Sequence, residues 1–164
     1  MNGRPDSQGF TLVELMVTVA VLTILISVGV PMYGQFTQGS AISSATSELV
    51  TSLNVARSEA VTRRESVRME RIDDNWTNGW QLLLDADDTL IREVRGVDKG
   101  KAAIGEASDL DSLVFDGQGR VSSNAEFTVG LKGADTANGR VLTLSRFGRT
   151  ELSVEEVECF AHCP

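Results

Sequence analysis

Residues 9–31 read GFTLVELMVTVAVLTILISVGVP. From Phe10 to Val30 only Glu14 is charged, and the apolar side chains follow one another with no polar face. At about 1.5 Å per residue such a run reaches roughly 30 Å as a helix, the thickness of a bilayer's hydrocarbon core. It is longer than the apolar region of an ordinary secretory signal, and no small-x-small cleavage site follows it, which disfavours a removable signal peptide. The preceding nine residues, MNGRPDSQG, carry Arg4 as their one basic side chain. This weak bias predicts that residues 1–9 lie in the cytoplasm and residues 32–164 on the far side of the membrane.

The charge arithmetic divides at the same place. The 164 residues have a formal net charge of −8, with 15 basic and 23 acidic side chains. Residues 1–9 hold Arg4 and Asp6 and the apolar run holds Glu14, so residues 32–164 keep 14 basic and 21 acidic groups, a net −7. A domain of that sign has no long-range attraction for phosphate backbones, which argues against a nucleic-acid partner. The 41% hydrophobic and 23% charged content is that of a globular protein and excludes a disordered tail or a polytopic membrane protein.

Glu14 is the anomaly, since a carboxylate near a bilayer centre costs on the order of 3 kcal/mol. Either it lies near the interface and snorkels, or it meets a cation at an assembly contact. Cleavage between Gly9 and Phe10 would create such a cation, the new amine of Phe10.

Gly9 followed by Phe10-Thr11-Leu12-Val13-Glu14-Leu15, with the apolar run behind it, resembles the processing signal of type IV pilins and type II secretion pseudopilins. The resemblance implies that prepilin peptidase cuts after Gly9 and that Phe10 is N-methylated. It also implies that Glu14 guides docking and that the helix joins a filament core. Pro31 stands where such proteins commonly carry a helix-kinking proline. The implied location is the bacterial inner membrane, single-pass, with a periplasmic globular domain, and then a filament. The implied partners are prepilin peptidase, other minor pilins or pseudopilins, and the major subunit.

Beyond Pro31, Ile42, Ala45, Leu49, Leu53, Ala56 and Ala60 recur at spacings of three and four. This predicts an amphipathic helix to about Arg64 whose small apolar stripe packs on a sheet. Gly29, Gly34 and Gly39 weaken the junction between the two helical halves. After Glu65 the pattern becomes strand-like, with candidate strands at residues 67–72, 80–85, 90–94, 112–115, 125–131, 141–145 and 151–154. Asn78-Gly79, Asp116-Gly117-Gln118-Gly119 and Asn138-Gly139 have the chemistry of hairpin turns. The expected fold is α+β and pilin-like: one long helix against an antiparallel sheet, divided into a leader (1–9), a transmembrane assembly helix (10–31) and the remainder (32–164). Trp76, Gly79-Trp80, Val114-Phe115-Asp116 with Gly117 and Gly119, and Leu142 to Ser145 running into Gly148-Arg149 are similar to the GspH/FimT branch of this family. Trp76 and Trp80 are expected in the core rather than on a ligand platform.

Other constellations are weaker. Cys159 and Cys163, on the oxidising side, favour a disulfide; with His162 they supply three of the four ligands of a structural zinc, so no metal site is expected. Asp85, Asp87 and Asp88 suit a solvated hairpin turn better than a calcium loop. Some relatives of this branch are DNA receptors that use a Gly-Arg-x-Arg element. Here Gly148-Arg149-Thr150-Glu151 replaces the second arginine by an acid, so Arg146 and Arg149 are weak DNA-binding candidates and, like Arg140, are expected to be solvated at the surface and paired with adjacent acids. With one histidine and no nucleophile–base set, the chain is expected to be neither an enzyme nor a cofactor carrier.

Overall fold

The computed structural model describes residues 11–96, 102–131 and 136–158. It contains one helix and eight strands: α1 (Leu12–Arg63), β1 (Val67–Ile72), β2 (Asn75–Leu84), β3 (Leu90–Arg95), β4 (Ala102–Glu106), β5 (Ser112–Phe115), β6 (Ala125–Leu131), β7 (Thr136–Leu144) and β8 (Thr150–Glu158). The chain falls into two compact units, Met1–Thr37 and Gln38–Pro164.

In the first unit, α1 is apolar on every described side from Leu12 to Ile26, and the large side chains are exposed all round. The hydroxyls of Thr18, Thr23 and Ser27 donate to the carbonyls of Leu15, Val19 and Ile24 at 2.8 Å. These polar groups are thus satisfied within the helix and need no solvent. Among the described residues no helix is long and apolar enough to cross a membrane.

In the second unit the helix buries Ile42, Ala45, Leu49, Leu53, Ala56 and Ala60, the predicted stripe, together with Ala41, Thr46 and Ser52. The side chains of the stripe join one core cluster with residues of the strands. The helix ends as Arg64 turns left-handed (φ 58°) and the Glu65 N–H reaches back to the Ala60 carbonyl at 3.2 Å, a Schellman closure made without glycine.

Two antiparallel four-stranded sheets lie against this stripe, in orders β3-β2-β1-β5 and β4-β6-β7-β8. They share one core that includes Trp80, Phe115, Phe127, Met69, Leu82 and Leu142. Trp76 meets Phe127 edge-on, centroids 5.1 Å apart at 84°, and its Nε1 donates to the Leu110 carbonyl at 3.0 Å. Both tryptophans are therefore core residues, as expected. The sheets are stitched where Thr77 Oγ1 accepts from the Ile104 N–H at 2.9 Å and donates to the Ile104 carbonyl at 3.2 Å.

Two expected turns are corrected. Asn78-Gly79 lies inside β2, where Gly79 pairs with Arg95 at φ +117° and a Cβ would meet the Val94 carbonyl oxygen at 2.0 Å. The β1–β2 reversal falls instead at Asp73-Asp74, both with positive φ (51° and 55°), the backbone of a two-residue type I′ turn. Asn138-Gly139 lies inside β7, which begins at Thr136, and stands opposite Glu156 and Glu155. Strands β2, β7 and β8 accordingly run longer than their periodicity suggested. β4 escaped prediction altogether, since AAIGE has neither alternation nor β-branched density.

Candidate functional site

The N-terminal constellation is built from Thr11. Its Oγ1 accepts the Glu14 backbone N–H at 3.2 Å and its carbonyl accepts the Leu15 N–H at 3.2 Å, so Thr11 caps α1 and Glu14 is the third helical residue. Thr11-Leu12-Val13-Glu14 is a capping-box sequence, a signal readable in the chain itself. Placing an acid in the first turn also suits the helix dipole. Glu14 is exposed and flanked by exposed Leu12, Val13, Leu15, Met16 and Val17, one carboxylate on an otherwise apolar surface. Gly9 and Phe10 lie outside the described residues, as do Cys159, His162 and Cys163.

In the second unit, the turns after β5 and β7 have the same construction. In one, the Gly119 N–H donates to the Asp116 carbonyl and the Asp116 N–H to the Arg120 carbonyl, both at 2.8 Å. In the other, the Gly148 N–H donates to the Ser145 carbonyl at 2.8 Å and the Ser145 N–H to the Arg149 carbonyl at 2.9 Å. Gly119 (φ +77°) and Gly148 (φ +71°) hold the left-handed position in each. The two turns touch: a Cβ on Gly148 would sit 2.7 Å from the Gly119 carbonyl oxygen, and one on Gly119 would sit 2.9 Å from Arg57 Nε. Arg57, from α1, donates through Nη1 to the Gly148 carbonyl at 3.0 Å. These glycines, quoted from the sequence for their resemblance, have a physical reason: the turns nest against each other and against the helix.

Asp116 caps its own turn, accepting the Gln118 and Arg120 N–H groups at 2.9 Å and the Arg120 guanidinium at 2.8 Å. The backbone bond from Arg120 leads in holding its carboxyl below the usual carboxylate range. Asp85 and Asp88 are committed to a cation already: Arg68 donates to Asp85 at 2.8 Å, to Asp88, and to Glu70 at 2.9 Å. These bonds, Asp88 foremost, push the Arg68 guanidinium above its ordinary value. Asp87 accepts the Thr89 N–H at 3.1 Å, and its hydrogen bonding to Thr89 lowers its carboxyl. The acidic run is a turn between β2 and β3 clamped by an arginine. Among the described residues no cluster of three or more His, Cys, Asp or Glu is arranged to hold a metal ion.

Arg146 and Arg149 lie on the β7–β8 turn. The Arg146 N–H is bound to Asn124 Oδ1 at 2.8 Å, and Arg149 Nη2 lies 3.5 Å from Glu151 Oε1. The acid that replaces the second arginine of the DNA-receptor element is thus the partner of the first, an arrangement poorly suited to a phosphate.

The family described as type II transport protein GspH matches residues 45–148, and the prokaryotic N-terminal methylation motif matches residues 4–30. A fimbrial protein of Pseudomonas aeruginosa is 39% identical over 54 residues, 33% of this chain and 34% of that protein. The chain therefore spans about a third of the length of that relative. Among solved structures, the type IV minor pilin FimU of Pseudomonas aeruginosa superposes with a TM-score of 0.66 at 27% identity, covering 76% of this chain and 99% of that one. The minor pseudopilin EpsH of the Vibrio cholerae type 2 secretion system shares the fold, with a TM-score of 0.51 at 17% identity over 68% of this chain and 94% of that one. With more than half of its residues matched, the chain belongs to the GspH family of type II transport proteins and opens with the prokaryotic N-terminal methylation motif.

Proposed function

We propose that the protein is a minor pilin or pseudopilin, a structural subunit of a type IV filament machine. It is made as an inner-membrane precursor with its globular domain in the periplasm, and prepilin peptidase cuts it between Gly9 and Phe10. Phe10 is then N-methylated, and the subunit assembles with other minor subunits and the major subunit through residues 10–31. The observation that carries this reading is the conjunction of the N-terminal methylation motif with a helix whose large apolar side chains are exposed on all sides. Such a surface must be covered by lipid or by protein. Glu14, as the lone carboxylate on it, is suited to pair with the methylated amine of a neighbouring subunit. The protein is then a substrate of processing enzymes, and its own work is association. The greater likeness to a pilus subunit than to a secretion pseudopilin supports a pilus.

Mass spectrometry of the protein from cells with active prepilin peptidase tests the reading. The expected product begins at Phe10 and carries one added methyl group; an intact Met1 terminus overturns it.

A further inference from the structure

Strand β8 is the last strand of its sheet, paired with β7 along nine positions, and among the described residues no strand pairs with its other edge. The Ser145 N–H to Arg149 carbonyl bond marks residues 145 and 149 as a hydrogen-bonded pair. Antiparallel pairs alternate, so the N–H and C=O groups of Thr150, Leu152 and Val154 point away from β7 to the open edge. The same residues carry the wrong side chains for water. Leu152 stands opposite Leu142 and Thr150 opposite Leu144, both fully buried, so their side chains are on the core side of the sheet. Yet Leu152 is 50% and Val154 72% exposed, because the core stops one strand short. Glu151, Ser153 and Glu155 project from the other face, also exposed.

We propose that β8 is a strand-addition site for an extended segment of another protein in which apolar and basic side chains alternate. Main-chain bonds to Thr150, Leu152 and Val154 would complete the ladder, the partner's apolar residues would extend the core over Leu152 and Val154, and its Lys or Arg would face Glu151 and Glu155. Charge selects this occupant. β8 reads TELSVEEVE, so pairing with a second copy would set glutamate against glutamate in chains of net charge −8. Arg149, the residue that leads into the strand, is already beside Glu151. The long free edge is the kind of template that folded proteins usually cover or charge, and here the charge leaves it open to partners of one sign.

The test uses the full-length mature chain in detergent micelles and a fluorescent peptide of alternating Lys and Val, read by anisotropy. A second probe is the same peptide N-methylated at its valines, which keeps charge and composition but removes the amides that would bond to β8. We expect saturable binding of the first peptide and at least tenfold weaker binding of the second. Two variants should each weaken the first peptide at least tenfold: Glu151→Lys combined with Glu155→Lys, and Val154→Pro, which removes an outward N–H and leaves the β7 ladder intact. The methylated probe requires no variant, so a misfolded Val154→Pro does not blunt the experiment. Absence of binding, or equal binding of both peptides, overturns the proposal.

Discussion

Arg57 Nη1 donates a 3.0 Å hydrogen bond to the Gly148 carbonyl, joining the last turns of the helix to a turn 91 residues away. The bond reaches its target only because Gly148 nests on the Gly119 turn, with Arg57 laid across both. The junction fixes where β7 leaves and β8 begins, and so sets the position of the open edge.

Gly148→Ala should destabilise the protein by about 2–4 kcal/mol, combining a left-handed alanine with a Cβ driven into the Gly119 carbonyl. Arg57→Met, which keeps the aliphatic stem but loses the hydrogen bond, should cost about 1 kcal/mol. Urea unfolding of the full chain in micelles, followed by fluorescence of the buried Trp76 and Trp80, measures both; the reverse order would contradict the nested-turn arrangement.

Thr77→Val is close to isosteric but removes the hydroxyl that both accepts from and donates to Ile104. A buried N–H left without a partner costs about 1–3 kcal/mol, and amide exchange at Ile104 should accelerate. Unchanged exchange there would show that the two sheets are held by other means.

The Asp116 carboxyl is depressed in the folded protein, so between its folded and unfolded values the unfolded chain binds more protons. The stability Asp116 contributes is present above its unfolded value, about pH 3.9, and is lost as the pH falls through the folded value. Asp116→Asn should therefore lower the melting temperature at pH 6 and make less difference at pH 2. A constant offset across that range would contradict the assignment.

Glu14→Gln keeps a side chain able to serve the Thr11 cap while removing the charge. If Glu14 pairs with a neighbouring amine, this variant should be processed at Gly9–Phe10 yet fail to enter filaments, as should Glu14→Ala. Immunoblots of sheared filament and membrane fractions distinguish this from a capping role, under which Glu14→Gln would assemble normally.

The N-terminal apolar run, the buried stripe of α1 and strands β1, β5 and β6 were legible in the chain because each depends on the order of residues within one segment. So was the lone carboxylate of the candidate assembly surface, a contrast of one residue with its neighbours. The hairpin at Asp73-Asp74 was hidden because aspartate takes left-handed backbone less readily than the Asn-Gly pairs nearby, and register put those pairs inside strands. β4 was hidden because its pairing with β6 and the Thr77 stitch, both non-local, make it a strand.

By itself, then, the sequence determined the division into an apolar helix bearing Glu14 and an acidic α+β domain, since hydropathy and charge are properties of neighbouring residues. Tertiary structure alone decided that Arg68 fills the acidic turn, that Arg57 ties together two glycine turns, and that Leu152 and Val154 remain at an open edge. Each of these depends on which distant segments meet, and contacts across many residues of chain leave no local pattern to read.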